Sequence, residues 1–191
     1  RSYILPTKKY RFEMKMSYAL CQGCSFILAK EIPDEDFLNL YYADSFSINS
    51  RTTKIKPDFD VQKRLDLLVE FLKPPASILE FGANRGDFCR TLNKQGYVAD
   101  GVDLLKSNGG GAIVRNEPGA QSGYLYDAVV SYYVFEHLSD VRSTLLKLKK
   151  LIKQNGILII EVPNFETNPL ESMDKEHLVH FTPDHMAFFV H

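Results

Sequence analysis

The stretch ILEFGANRGDF, residues 78–88, decides how this chain folds, because an apolar run ends in two glycines that enclose an asparagine. Glycine permits positive φ and lets the backbone approach a ligand closely, and asparagine is among the few other residues that tolerate the left-handed region. The pattern predicts a buried strand, then a sharp and open turn from Gly82 to Gly86, then a helix. The unpaired N–H groups at the start of that helix favour a carboxylate or a phosphate.

Helices and strands alternate on both sides of this turn. Apolar residues three and four apart predict helices over residues 59–72, 87–96 and 141–153. Apolar runs predict strands over residues 77–81, 97–105, 127–135 and 155–164, with a weaker signal at 112–114. This alternation predicts an α/β fold with a parallel sheet covered by helices on both faces. Ligands of such sheets bind beyond the carboxyl ends of the strands.

Asp103 is an acidic residue at the end of the second predicted strand, which is the strand that follows the glycine turn. An acid at this place holds the ribose hydroxyls of a nucleotide, so the turn and Asp103 together predict a cofactor that contains a nucleoside. The segment G-A-N-R-G-D departs from the dinucleotide fingerprint G-x-G-x-x-G, which favours a smaller anion than a pyrophosphate. The structural alternative is a glycine turn that joins a strand to a helix without any ligand.

The composition restricts the class of protein. The 191 residues are 45% hydrophobic and 25% charged, and the formal net charge of −1 provides no field that would attract nucleic acid or an anionic membrane. No apolar stretch approaches the roughly 20 residues that span a bilayer, and the first residues lack the apolar core of a signal peptide. Three cysteines agree with a reducing compartment. We expect a cytoplasmic protein with a small-molecule partner, and the sequence does not indicate its oligomeric state.

Two domains are predicted along the chain. Residues 1–50 form a small N-terminal module, which contains the motif CQGC and a helix signal at 34–42. Residues 51–191 form the main domain. Because the chain begins without Met and stops within an apolar pattern, we expect it to be a fragment whose main domain is incomplete at the C-terminus.

Four segments carry a resemblance to a known family, and they cover roughly residues 59–165: ILEFGANRGDF, GVD, YDAVVSYYVFEHLSD and LKKLIKQNGILIIEVPN. Their order and spacing resemble class I S-adenosylmethionine-dependent methyltransferases. The resemblance implies a Rossmann-like, doubly wound fold, S-adenosylmethionine as the cofactor and a small molecule as the methyl acceptor. It also implies three groups of cofactor-binding residues: Glu80, Gly82, Ala83, Asn84 and Gly86 for the amino-acid part, Asp103 for the ribose, and Ser131 and Tyr132 beside the transferable methyl.

Within this family the chain is most similar to the sugar carbon-methyltransferase branch. That branch carries an asparagine at the place of Asn84 and usually an aspartate at the place of Arg85, so Asn84 fits the branch and Arg85 departs from it. The branch implies a nucleotide-linked sugar as the acceptor. Two other classes stay open: a binding or regulatory module that kept the fold without the chemistry, and a nucleotide-dependent dehydrogenase.

Two histidines in the segment EHLVHFT are the predicted catalytic residues. Histidine changes its charge near neutral pH, so His177 and His180 are suited to act as a general base. The sugar methyltransferase branch supplies its base histidine from a similar segment. The structural alternative is that both histidines dock a helix that Thr182 caps before Pro183. His137, in FEHLSD, is interpreted as architectural or as a wall of the pocket.

The motif CQGC places Cys21 and Cys24 at the spacing of half a tetrahedral zinc site. The remaining two ligands are not evident in this chain. In the resembling branch an upstream cysteine pair completes a zinc-binding N-terminal domain, so the resemblance implies zinc in the full-length protein. The structural alternative is a pair of reduced cysteines in a small hairpin.

Overall fold

The computed structural model describes residues 2–6, 11–33, 59–103, 114–115, 124–169 and 176–190. Internal contacts divide the chain into two compact units. The first, called here the parallel-sheet unit, comprises Thr53–Tyr132 and Ser143–Ile160. The second, called here the antiparallel unit, comprises Arg1–Thr52, Tyr133–Arg142 and Glu161–His191.

The elements of the described residues are numbered here in chain order. The strands are β1 Ser2–Pro6, β2 Arg11–Lys15, β3 Tyr18–Leu20, β4 Ile27–Ala29, β5 Ser77–Phe81, β6 Val98–Val102, β7 Val114–Arg115, β8 Tyr126–Tyr132, β9 Ile152–Glu161 and β10 Val179–His180. The helices are α1 Phe59–Phe71, α2 Asp87–Lys94, α3 Val141–Lys149 and α4 Pro183–Val190, with a short 3-10 helix at Phe135–His137.

The parallel-sheet unit is built on one sheet with the strand order β7-β6-β5-β8-β9. Strand β5 pairs in parallel with both β6 and β8, and β6 pairs in parallel with β7. The strand order reverses between β5 and β8, which is the point where doubly wound sheets bind their ligands. The predicted Rossmann-like α/β fold is therefore confirmed.

A hydrophobic core covers one face of this sheet. Alternate residues of a strand point to the same face, so Ile78 of β5 and Ala128 and Val130 of β8 meet the helices together. The members of the core are Leu65, Leu68, Ile78, Ala83, Phe88, Cys89, Leu92, Tyr97, Ala99, Ala128, Val130 and Tyr132. Helices α1 and α2 supply five of these side chains, which explains the three- and four-residue apolar spacing in their sequences.

Several predicted boundaries differ from the structure, among them the end of α3, the start of β9 at Ile152 and the end of β8. Helix α3 ends at Lys149, because the Leu151 N–H donates to the carbonyl of Leu148 and the Tyr126 N–H donates to the carbonyl of Leu151, which starts the next strand early. Strand β8 ends at Tyr132, because the next residue has φ 57° and turns the chain. The predicted helix at 34–42 and most of residues 104–123 lie outside the described residues.

The antiparallel unit contains two small sheets. Strands β1 and β2 form a two-stranded sheet, and β4 pairs antiparallel with both β3 and β10. Thr182 precedes α4, and its hydroxyl accepts a hydrogen bond of 3.3 Å from the N–H of His185, so the predicted cap is present. None of the helices in the described ranges has the length and apolar character that a bilayer crossing requires.

The turn after β5 has three residues with positive φ. The values are 81° at Gly82, 50° at Asn84 and 72° at Gly86. The N–H groups of Gly82 and Ala83 donate to the carbonyl of Val102 over 2.8 and 3.0 Å, which fixes the turn to the end of β6. The predicted left-handed conformation of Asn84 is confirmed.

We expect the turn to tolerate glycine and to resist β-branched residues at position 84. Asn84→Val should lower the free energy of unfolding by about 1–3 kcal/mol, because a β-branched residue at positive φ is strained. Asn84→Gly should leave it unchanged within about 0.5 kcal/mol. Urea denaturation measures both. Lys94→Val, at an exposed helical position, is the control for adding valine, and an equal loss in that variant would contradict the argument.

Candidate functional site

The glycine turn and the acid after β6 form a single hydrogen-bonded structure. The Asp103 carboxylate accepts a hydrogen bond of 2.7 Å from the backbone N–H of Asn84. The two residues meet because β5 and β6 are parallel neighbours, so the segments that leave their carboxyl ends lie side by side. The bond holds the turn in the conformation that its positive φ values define.

Below the turn lies a buried acid, Glu80 of β5, which is 7% exposed. The thiol of Cys89 in α2 donates to its carboxylate over 3.0 Å. Burial raises the pKa of Glu80 to about 7, and this effect exceeds the opposing influence of the Cys89 hydrogen bond and of the positive charge of Arg64. Burial, together with the negative charge of Glu80, also raises the pKa of the Cys89 thiol. A cation placed next to Glu80 would stabilise its ionised form.

The end of β8 supplies the third side of this region. The Ser131 hydroxyl donates to the carbonyl of Phe81 over 3.0 Å, which ties β8 to β5. The Tyr132 ring is packed against the Phe88 ring at 5.3 Å between centroids. The guanidinium of Arg64 lies over the same Tyr132 ring, 4.3 Å from its centroid.

The structure thus places together all eight residues that the resemblance links to the cofactor. They follow or end three neighbouring strands at the carboxyl edge of the sheet, where the strand order reverses. The region is polar at the turn, where backbone N–H groups and Asp103 lie, and apolar at Phe88 and Tyr132. We call it the strand-end site.

A second group of polar side chains lies in the antiparallel unit and consists of Glu136, His137 and His177. One ligand atom from each of the three lies within 4.8 Å of the other two. The rings of His137 and His177 are 4.9 Å apart between centroids. A backbone hydrogen bond of 2.7 Å from Leu178 to the carbonyl of Glu136 joins the two segments that carry them. We call this group the Glu-His-His cluster.

Within the cluster, Glu136 has an unusual environment. It is 2% exposed, and neither carboxylate oxygen has a hydrogen-bond partner among the described residues. Burial raises the pKa of Glu136 to about 7; the backbone N–H of Glu136 itself opposes this shift, and the charge of Glu161 adds to it. Sequence reasoning missed Glu136. The available signal was the repetition of a Glu-His pair at 136–137 and 176–177.

The second predicted catalytic histidine, His180, is in a different environment from His177. It is 2% exposed in β10, and its ring packs against Tyr18 at 4.9 Å and Phe165 at 5.1 Å between centroids. Its ring centroid lies 6.4 Å from that of His177. His180 therefore belongs to the packed interior of the antiparallel unit, whereas His177 is half-buried.

The motif CQGC forms a tight turn between β3 and β4. Cys21 and Cys24 are exposed and free, and backbone N–H groups of Cys24 and Gly23 hold the pKa of the Cys21 thiol below its usual value. Among the described residues, no group of three metal-ligating side chains includes either cysteine.

Comparison with known proteins places the chain in a family. A family model described as a methyltransferase domain matches residues 58–190. A ubiquinone biosynthesis O-methyltransferase of Rickettsia prowazekii is 30% identical over 132 residues, which cover 62% of this chain and 52% of the relative. The chain therefore spans about half the length of this curated relative.

Two solved structures share the fold. The 1,6-didemethyltoxoflavin-N1-methyltransferase of Burkholderia thailandensis, solved with S-adenosylhomocysteine, has a TM-score of 0.65 and 16% identity, and the match covers 93% of this chain and 86% of that one. The magnesium protoporphyrin IX methyltransferase of Synechocystis PCC 6803, also solved with S-adenosylhomocysteine, has a TM-score of 0.60 and 14% identity, with coverage of 82% and 87%. Because the family model covers well over half of the residues and the fold agrees, this chain belongs to the methyltransferase domain family.

Proposed function

We propose that this chain transfers a methyl group from S-adenosylmethionine to an oxygen atom of a small molecule. The observation that carries the proposal is the bond between Asp103 and the backbone of Asn84, which holds an open glycine turn at the point where the strand order reverses. Membership of the methyltransferase domain family and the names of the curated relatives support it. The choice of oxygen rests on those names.

The strand-end site suits the parts of the cofactor. The backbone N–H groups at the start of α2 would bind the cofactor carboxylate. The carboxylate of Glu80 would hold the α-ammonium group, whose charge compensates the desolvation of this acid. Asp103 would accept hydrogen bonds from the ribose hydroxyls while one oxygen keeps the turn in place.

The methyl group itself requires little activation by the protein. The sulfonium centre is already reactive, so the main contribution of the protein is to align the acceptor oxygen, the methyl and the sulfur. Ser131 and Tyr132, at the end of β8, would form the wall beside the methyl. The ring contacts of Tyr132 with Phe88 and Arg64 fix the orientation of this wall.

A hydroxyl acceptor must lose a proton, and we propose His177 for this step. It is half-buried and lies beside Glu136 and His137, whereas the exposed fraction of His180 is only 2%. A nucleotide-linked sugar is the alternative acceptor that the sequence predicted, and the names of the curated relatives do not support it. Zinc at Cys21 and Cys24 and a cytoplasmic location stay predictions from the sequence.

We expect Asp103→Ala to weaken the binding of S-adenosylhomocysteine by about 1–3 kcal/mol, because hydrogen bonds to a charged group are lost. Isothermal titration calorimetry measures the affinity. Since Asp103 also holds the turn, Asn84→Val serves as the matched variant that strains the turn and keeps the acid. Unchanged affinity in Asp103→Ala would remove this residue from the cofactor site.

We expect Glu80 to make the stability of the chain dependent on pH. Its pKa is raised in the folded state from 4.5 to about 7, so its stabilising effect is complete below pH 4.5 and is lost as the pH rises to 7. The free energy of unfolding of the wild type relative to Glu80→Gln should therefore fall between pH 5 and pH 8, by roughly 3 kcal/mol. Urea denaturation at the two pH values measures this difference.

Asp127→Asn is the control for the Glu80 experiment. Burial does not dominate there: hydrogen bonds from the Ser77 backbone and from Lys153 lower the pKa of Asp127 from 3.8 to about 2. Asp127 is thus ionised in both the folded and the unfolded chain above pH 5, so the difference in free energy of unfolding between the wild type and Asp127→Asn should not change between pH 5 and pH 8. A difference between the wild type and Glu80→Gln that does not change with pH would contradict the proposed environment of Glu80.

We expect His177→Ala to lower turnover by roughly 10²–10⁴ and to leave the affinity for S-adenosylhomocysteine unchanged. The reason is that removal of the acceptor proton and binding of the donor use different residues. The measurement is steady-state methyl transfer to catechols and to nucleotide-linked sugars as test acceptors. Glu166→Gln, an exposed acid of the same unit, is the control, and wild-type turnover in His177→Ala would exclude the histidine from the reaction.

A further inference from the structure

The Glu-His-His cluster has the composition of a metal site. Two imidazoles and one carboxylate form the ligand set of several catalytic zinc centres and of non-haem iron centres, in which the remaining coordination positions stay open. Among the described residues, Glu136, His137 and His177 are the group that brings three such ligand atoms within 4.8 Å of one another. Ligands of a tetrahedral zinc ion lie about 3.3 Å apart, given bond lengths near 2.0–2.1 Å. Binding of a metal ion therefore requires the three ligand atoms to move closer to one another by on the order of 1 Å.

One histidine already has the orientation of a metal ligand. The Nδ1 atom of His137 lies 2.9 Å from the carbonyl of Glu176. A carbonyl only accepts, so Nδ1 carries the proton and, in the neutral ring, Nε2 presents its lone pair. Metal-ligating histidines are usually held by such a hydrogen bond from the other nitrogen to a carbonyl or a carboxylate.

The buried carboxylate supplies an independent observation. Glu136 is 2% exposed, and its two oxygens receive no hydrogen bond within the described residues. One of these oxygens lies 3.9 Å from Nε2 of His137. An uncompensated buried carboxylate is costly, and a cation between this oxygen and Nε2 of His137 would compensate it. The charge of Glu161 adds to the negative potential there.

We propose that Glu136, His137 and His177 bind one divalent transition-metal ion of the Zn²⁺ type. Imidazole ligands favour zinc, iron, cobalt or nickel over Mg²⁺ and Ca²⁺, which prefer sites made only of oxygen ligands. The binding site is independent of the proposed methyl transfer. When the ion is bound, His177 serves as its ligand instead of as a free base.

The experiment is calorimetry of the whole chain with ZnCl₂. Because the free, exposed thiols of Cys21 and Cys24 would compete for added zinc, both are replaced by serine in every sample. We expect one Zn²⁺ per chain in this background, and affinity at least about 100-fold lower after His177→Ala or Glu136→Gln. MgCl₂ should bind far more weakly than ZnCl₂. Glu166→Gln in the same background should bind Zn²⁺ like the parent.

Two additional measurements keep the test decisive. Absorption spectra with CoCl₂ should show the bands of nitrogen and oxygen ligation in the parent and lose them in Glu136→Gln, a variant of equal size that circular dichroism checks for folding. No bound Zn²⁺, or equal affinity in the parent and both variants, would overturn the metal site. Calorimetry with S-adenosylhomocysteine on the same samples tests the proposed function separately, since binding of one ligand without the other rejects only one proposal.

Discussion

The hydrogen bond from the Asn84 backbone to Asp103 is the constraint on which the strand-end site depends. Three positive φ values within five residues make the turn after β5 conformationally expensive for any sequence without glycine or asparagine. The bond, together with the contacts to Val102, compensates part of this cost by fixing the turn to the neighbouring strand. The same geometry leaves the start of α2 open toward the carboxyl edge of the sheet.

Two buried acids share a physical character, although each belongs to its own unit. Glu80 and Glu136 are both desolvated, and burial raises the pKa of each to about 7. Glu80 has a thiol donor and a nearby guanidinium, whereas no hydrogen bond within the described residues reaches the carboxylate of Glu136. A buried acid is costly unless a cation joins it. The proposed cations differ accordingly: the ammonium group of the cofactor for Glu80, and a metal ion for Glu136.

Much of the parallel-sheet unit could be predicted because its signals are local. Strand β5 and helices α1 and α2 follow from apolar spacing, and the turn at Asn84 follows from residue types that tolerate positive φ. The end of α3 was predicted too late, since Leu151 continues the apolar spacing of the helix although its carbonyl already accepts from Tyr126 of the sheet. Tertiary pairing therefore overrode a local pattern there.

The Glu-His-His cluster could not be predicted in the same way. Glu136 lies in the short 3-10 helix Phe135–His137 after β8. Its burial depends on the 176–181 segment, which lies about 40 residues later in the sequence and donates a hydrogen bond to its carbonyl. The spacing of apolar residues within one segment does not indicate a contact between segments so far apart in the sequence. The roles of the strand-end residues came from family resemblance, whereas their positions at one edge follow from parallel pairing of β5 with β6 and β8.

A crystal structure of the chain with S-adenosylhomocysteine tests the central claim most directly. The account predicts that the ligand lies along the carboxyl edge of the sheet, with its ribose hydroxyls bonded to Asp103 and its amino-acid part over the Gly82–Gly86 turn beside Glu80. Binding of the ligand elsewhere, or an empty strand-end site at saturating ligand, would contradict it.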